Sequence, residues 1–537
     1  MEPFMSIPIP IPAIGADKPI RSISKVVFFI VLYRFFPLSR ATLCRDLDVR
    51  MNFSFSEPIN LLGLGAVLLQ LALTVGVILR VMLTRHPPGS SFAWILLTTI
   101  VPYFGFILYL LFGERTLGRW HARKLRREMR KRRQIFRHIM RTEAMAPENY
   151  RNISKLATRL GKFPLTKKSS LRLLDDSDET MTLLVNDIDN AKELIAMEFY
   201  IWDIGRKADD VSAALIRAAR RGVQCFVLVD AIGSSRFLSS DWARMFRYEG
   251  IHLESALPVS LFSALLSRAD IRLHRKIAVI DYKIAYSGSL NMVDPHYFKK
   301  NSNIGQWIDA MVRAKGEIVS SLYHLIHFDW KVLTDSEIAF PEFKNDSIID
   351  FDIPDQATVM IVPSGPGTTN DANQRLILEA IHQARKSIEI VSPYFIPGEP
   401  LALALQNAAL KGVKVTLILP RRSDAPMVGY AAQRYFDDLL KSGVHIMMYD
   451  KGMLHTKSVT IDGELSLFGT VNMDMRSMHL NYELMLLVFD EGFSQKVSAL
   501  NASYAESSSE INLFQWYKRS VFVRMKEGAS YLLSPLL

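Results

Sequence analysis

The spacing of hydrophobic and polar positions changes character along the chain. Residues 59–79, INLLGLGAVLLQLALTVGVIL, and 90–113, SSFAWILLTTIVPYFGFILYLLFG, are apolar and carry no charge. Each reaches the roughly 20 residues that a membrane-spanning helix requires. Gln70 and Pro102 fall inside them, which a helical hairpin tolerates, and the link RVMLTRHPPG is too short for a domain. A two-helix transmembrane hairpin is therefore expected at 59–113. Upstream, VVFFIVLYRFF (26–36) is too short to span, contains Arg34 and runs into Pro37. Residues 1–58 are expected to form an extension that lies on the membrane interface or is dispensable, with Met51 as an alternative start.

From about residue 171 the pattern is that of an α/β protein, and it runs twice. LLVNDIDNAKELIAMEFYIW leads to a helix-like DDVSAALIRAARRG ending at Gly222, then to the apolar VQCFVLVD. RLILEAIHQARKSIEIVSPYFI leads to EPLALALQNAALKG ending at Gly412, then to VKVTLILP. Helix, terminal glycine and buried strand in the same order predict a duplicated α/β unit. The halves are expected at 165–350 and 351–537, joined through DSIIDFDIPDQ. The apolar ALPVSLFSALL (256–266) reads as a core helix rather than a membrane-dipping loop.

Charge sharpens the membrane reading. Residues 115–137 hold 11 Lys or Arg against the single acid Glu128, which accounts for most of the net charge of +11. A basic cluster just beyond a span marks the cytoplasmic side and suits anionic headgroups, so the stretch 114–164 is expected to be a basic juxtamembrane linker. The charge does not require nucleic acid. Cys44 and Cys225 are the only cysteines, which excludes a disulfide framework and a cysteine-based metal cluster.

Each half also carries one motif. LHRKIAVIDYKIAYSGSLNM (273–292) nearly returns as LHTKSVTIDGELSLFGTVNM (454–473). Side chains two apart on a strand share a face, so His274 and Lys276 point together, as do His455 and Lys457, while Arg275 and Thr456 point away. Asp281 and Asp462 fall at turns that fold the chain back and bring Gly288 and Asn291, or Gly469 and Asn472, beside the His and Lys. Asp at such turns is ordinary turn chemistry, and the two are read as supports more than as groups that touch substrate. Imidazole, cation and amide on one surface are what phosphoryl transfer uses.

The pattern H-x-K-x4-D-x6-G-S-x-N, present twice with Thr470 in place of the Ser in the second copy, resembles the phospholipase D superfamily. Together with HPPGSSFAWILLTTIVPYFGFILYLLFGE, FVLVDAIGS, GQWIDAMV, VPSGPG, VSPYFIP and LLSPLL, it is similar to the bacterial cardiolipin synthases. The resemblance implies two α/β/α sandwich halves sharing one active site, behind the transmembrane hairpin. It implies transfer of a phosphatidyl group between two phosphatidylglycerol molecules through a phosphatidyl-histidine, giving cardiolipin and glycerol. Lys276, Lys457, Asn291 and Asn472, with Ser289 and Thr470, would bind the phosphate; no metal and no other cofactor is expected. Thr470 departs from the family's Ser but keeps the hydroxyl. The spacing does not say which histidine attacks; the resemblance favours His274. Expected partners are phosphatidylglycerol and other anionic lipids, not nucleic acid, at a bacterial inner membrane with the catalytic part cytoplasmic. A phospholipase D, a phosphatidylserine synthase and a nuclease share the motif chemistry and stay open as rivals; a non-catalytic lipid tether has no use for both motifs.

After each Asn the chain returns through a strand-like run carrying one acid among apolar residues, Asp309 in IGQWIDAMVRAKG and Glu483 in HLNYELMLLVFD. A buried carboxylate needs a partner, and the resemblance places an acid beside the catalytic histidine. Asp309 is expected to orient His274, and Glu483 to orient His455. An ordinary ion pair of Asp309 with Arg313 is the alternative.

Overall fold

The computed structural model describes residues 61–84, 88–113, 127–128, 146–258, 270–302, 304–334, 336–343, 356–366 and 371–533. The expectations for residues 1–58, for most of 114–164 and for most of 256–266 lie outside these. Two compact units are distinguished, Met1–Leu69 and Gln70–Leu537.

Leu61–Leu83 is one unbroken helix, long and apolar enough to cross a membrane. The second expected span is interrupted. A helix over Pro88–Ile100 stops, Val101 leaves helical geometry at φ −129°, ψ 73°, and a short helix over Pro102–Leu108 passes into a π-helical turn, Tyr109–Gly113. Proline lacks an N–H and disfavours helical geometry in the residue before it, so Pro102 divides the segment. The two stretches touch: Thr74 Oγ1 donates to the Thr98 carbonyl at 3.3 Å, and Val77, Val81 and Tyr109 are buried together against Trp94 and Ile95.

The α/β part is built on strands β1 (Thr166–Leu174), β2 (Leu194–Phe199), β3 (Gln224–Asp230), β4 (His252–Ala256), β5 (Lys276–Ile280), β6 (Ile284–Gly288), β7 (Trp307–Ile308), β8 (Met311–Gly316), β9 (Ala357–Ser364), β10 (Ser387–Val391), β11 (Lys414–Pro420), β12 (His445–Tyr449), β13 (Met453–Leu454), β14 (Ser458–Ile461), β15 (Leu465–Gly469), β16 (Glu483–Val488) and β17 (Ser508–Glu510). One 15-stranded sheet has the order β17-β12-β11-β10-β14-β15-β16-β9-β1-β8-β6-β5-β2-β3-β4. The order read outward from β1 repeats outward from β9, and the antiparallel β1–β9 pair joins the halves.

Residues alternate between the faces of this sheet. On one face Leu194 and Ala196, Ile277 and Val279, and Val359 and Ile361 enter a core shared by both halves, covered by the helices Glu317–Leu333 and Glu491–Glu506. On the other, Ile195 and Met197 belong to a core confined to the first half, and Met360 and Val362 to one that the second half builds together with the upstream helix Arg151–Gly161. Burial on both faces is why the strands read as continuous apolar runs such as VQCFVLVD.

Candidate active site

Both motifs fold as the period-two pattern predicts. β5 pairs with β6 and β14 with β15, antiparallel. Arg275 turns to the shared core, where its guanidinium meets Asp329 and donates to the Ser364 and Glu483 carbonyls. His274 and Lys276 lie on the other side, and both are buried. Each lysine curls back onto its own motif: Lys276 Nζ donates to the His274 carbonyl at 2.7 Å, and Lys457 Nζ to that of His455.

The acids are exchanged between halves. His274 Nδ1 lies 2.9 Å from Glu483 Oε2, and His455 Nδ1 lies 2.6 Å from Asp309 Oδ1. The expected pairing of Asp309 with His274 and of Glu483 with His455 is therefore corrected. The cause is backbone pairing across the join. The His274 N–H donates to the Tyr482 carbonyl and that of His455 to the Ile308 carbonyl, Leu273 bridges Tyr482, and β13 runs parallel to β7. Each histidine is thus set beside the residue that precedes the other half's acid. Arg313 binds Asp187 through both Nε and Nη2, at 2.8 and 2.9 Å, and is not Asp309's partner.

Ser289 and Thr470 serve these acids rather than a phosphate. Ser289 Oγ donates to Asp309 at 2.6 Å, and Thr470 Oγ1 to Glu483 at 2.5 Å. Each hydroxyl also accepts a backbone N–H, from Ala310 and from Leu484 respectively. Ser477 adds a second hydroxyl to Glu483 at 2.8 Å. The motif glycines permit this approach, since a Cβ on Gly288 would sit 2.5 Å from the Ala310 carbonyl oxygen and one on Gly469 2.3 Å from that of Leu484. Thr470 supplies the same hydroxyl as Ser, so the departure from the pattern leaves the contact intact.

Asp281 and Asp462 stand away from the histidines. Asp281 accepts the backbone N–H groups of Lys192, Glu193 and Leu194 at 2.8–3.0 Å; Asp462 accepts those of Arg385, Lys386 and Ser387. They anchor the starts of β2 and β10 at the far ends of β5 and β14, roughly 15 Å of strand from the lysines. Both have positive φ, 49° and 55°, a conformation that Asp tolerates better than most residues. Grouping them with the catalytic residues is corrected: their contacts are those of turn supports. Asn291 Oδ1 accepts the Ile201 N–H at 3.3 Å. Asn472 is buried, and among the described residues its Oδ1 has no donor.

Residues 184–323 and 377–502 match the family described as "Cardiolipin synthase, PLD-like domain", and residues 72–114 match "Phospholipase_D-nuclease N-terminal". The chain is 38% identical over 469 residues to cardiolipin synthase A of Serratia proteamaculans (strain 568), covering 87% of this chain and 96% of that protein. It is 39% identical over the same length and coverage to cardiolipin synthase A of Klebsiella pneumoniae (strain 342). The chain belongs to the cardiolipin synthase family. The crystal structure of phosphatidylserine synthase from Haemophilus influenzae Rd KW20 shares the fold, with a TM-score of 0.55 at 14% identity over 72% of this chain and 100% of that one. As a family member the chain is a phosphatidyltransferase, membrane-associated and acting on phospholipids.

The electrostatics suit that chemistry only when an anion enters. Burial pushes His274 and His455 down to about 4, against the upward pull of the Glu483 and Asp309 carboxylates and with help from both lysines. Burial also lowers Lys276 and Lys457 to about 7. Burial alone would raise Asp309 and Glu483, but the adjoining histidine, lysine and hydroxyl together outweigh it and each lies below its ordinary value. An unperturbed value of about 6.5 would allow one imidazole to be charged near neutrality. Burial in this site disfavours the charge on both, and a phosphodiester's negative charge favours a proton on one of them.

Two aromatic walls were not singled out from sequence. The Tyr200 ring packs 4.9 Å from that of His274, and Trp307 4.6 Å from that of His455. The available signal was position: Trp307 stands two residues before Asp309, and Tyr200 directly follows β2. Tyr394, in the loop after β10, donates to Asp424 at 2.6 Å, and Lys299 donates to the same carboxylate at 2.8 Å. Tyr394 also lines a cavity of about 380 Å³ with Pro420, Arg422, Tyr430, Gln433 and Phe436.

Proposed function

We propose that this enzyme makes cardiolipin by double displacement at one site that both halves build. The observation that carries the reading is the exchange of acids: each imidazole depends on a carboxylate from the other half, so neither half has a complete site alone. Nδ1–H of His274 donates to Glu483, which leaves Nε2 to attack phosphorus of one phosphatidylglycerol. The bond from phosphorus to the glycerol oxygen breaks, His455 gives that oxygen its proton, and glycerol leaves. The headgroup hydroxyl of a second phosphatidylglycerol then loses its proton to His455 and displaces His274, forming cardiolipin. Lys276 and Lys457, with the Asn291 and Asn472 amides, hold the non-bridging oxygens. Exchange of one phosphodiester for another is nearly isoenergetic and needs no nucleotide.

In this reading the phospholipase D-like halves occupy about 165–350 and 351–537, and the enzyme sits in a bacterial inner membrane. The basic run 115–137 supports a cytoplasmic catalytic part. The test is purified protein in detergent with labelled phosphatidylglycerol, scored in parallel for cardiolipin, phosphatidic acid, phosphatidylserine with added serine, and DNA cleavage. Cardiolipin should dominate and be lost in both His274→Ala and His455→Ala. Substantial turnover in either variant removes the shared-site mechanism, and predominance of another product removes the substrate assignment.

A further inference from the structure

The C-terminal helix Val521–Leu532 is amphipathic in the wrong sense for a surface helix. An ordinary one turns its apolar stripe to the core. Here Glu527 and Ser530 are the buried residues, and the Glu527 carboxylate is paired with Arg519. Val523 and Tyr531 are half-buried beside them, whereas the larger apolar stripe points outward: Phe522 is 79% exposed, Met525 64% and Leu532 78%. Positions 522, 525, 529 and 532 follow the i, i+3, i+7, i+10 spacing of one helical face, and Val521 widens it. The preceding short helix, Leu513–Tyr517, adds exposed Phe514 and Tyr517.

Cations flank this stripe. Around the helix Lys526 borders it on one side and Arg524 on the other, both exposed, while Lys518 stands over the Phe514 ring at 4.5 Å. Arg519 is committed internally to Glu527 and Asp437. The outward face is therefore apolar at its centre and basic at its edges, the pattern of helices that lie in a bilayer interface and favour anionic lipid. The face adjoins the cavity described above, because Val521–Leu532 packs on the helix Pro426–Lys441, whose Tyr430 lines that cavity and lies 6.0 Å from Lys526 Nζ.

We propose that this face docks on the surface of an anionic bilayer, a second membrane contact besides the Leu61–Leu83 helix, holding the cavity side of the second half against the lipid. Only the choice of phosphatidylglycerol as the anionic lipid rests on the proposed function; the docking itself does not.

The full chain is labelled with an environment-sensitive fluorophore at Phe522→Cys in a Cys44→Ser background, with Cys225 buried. The control is a label at Tyr248→Cys, an 88% exposed position in the first half. In nanodiscs containing phosphatidylglycerol, bromolipids should quench position 522 and aqueous iodide should not; position 248 should behave in the opposite way. Phosphatidylcholine nanodiscs should weaken the protection at 522. Equal iodide access at both positions overturns the proposal. So does protection that appears only in discs holding two copies, which assigns the face to self-association. The triple variant Phe522→Ser, Met525→Ser, Leu532→Ser should raise the apparent KM on bilayer-embedded substrate about tenfold or more and leave turnover on detergent-dispersed substrate unchanged. An unaltered bilayer KM counts against docking. If the unmodified enzyme made no cardiolipin in detergent, the proposed function would fall, while the quenching result would still decide the docking.

Discussion

The exchange of acids between halves can be tested by asking which acid each histidine needs. At 2.9 Å and an effective dielectric of about 20, Glu483 attracts a full positive charge on His274 by about 6 kcal/mol. That charge develops as Nε2 bonds to phosphorus. Gln at position 483 can still accept from Nδ1–H but carries no charge, so part of the interaction survives. A loss of about 3–5 kcal/mol corresponds to about 10²- to 10⁴-fold in the rate of adduct formation. The substrate should be phosphatidyl-p-nitrophenol, whose leaving group departs without a proton, so His455→Ala can still form the adduct and then holds it. In that background Glu483→Gln should suppress the nitrophenolate burst by the stated factor. Asp309→Asn should change it little, because Asp309's imidazole is already gone. If His274→Ala is the variant that bursts, the two amides exchange roles. A burst lost with the same-half acid and kept with the other would refute the exchange.

Asp281→Ala should lower stability by about 2 kcal/mol by orphaning backbone donors at the start of β2, with turnover per folded molecule largely kept; thermal melts beside a specific-activity assay would show it, and a stable but inactive variant would return Asp281 to the chemistry. Thr470→Ser should keep activity, whereas Thr470→Val should lower kcat about tenfold by removing a charge-assisted hydrogen bond to Glu483; equal activities would mean that the hydroxyl does not hold the acid. Lys276 is depressed to about 7 in the folded site, so between about pH 7 and the ordinary lysine value of about 10.5 the unfolded chain binds more protons and the stability contribution rises with pH. Lys276→Met should therefore raise Tm more at pH 6 than at pH 9 while abolishing turnover, and an identical shift at both pH values would contradict the depressed lysine.

Sequence alone determined what depends on local periodicity. Side chains alternate along a strand, so the spacing placed His274 beside Lys276 and His455 beside Lys457, sent Arg275 to the other face and put Asp281 and Asp462 at turns. Duplication of the pattern carried the doubled α/β architecture and the family. Tertiary structure decided what depends on which backbones meet. Nothing in the period of IGQWIDAMV says that Ile308 will accept the N–H of His455 rather than lie beside His274, because strand pairing between halves is a long-range choice made by the whole sheet. From that choice follow the exchange of Asp309 and Glu483 and the use of Ser289 and Thr470 to hold them. Burial of the four basic groups, which moves the imidazoles to about 4 and the lysines to about 7, is likewise a property of the assembled site. The C-terminal helix makes the same point in reverse: its sequence shows an apolar face, but only packing on Pro426–Lys441, with Glu527 turned inward to Arg519, reveals that this face looks out.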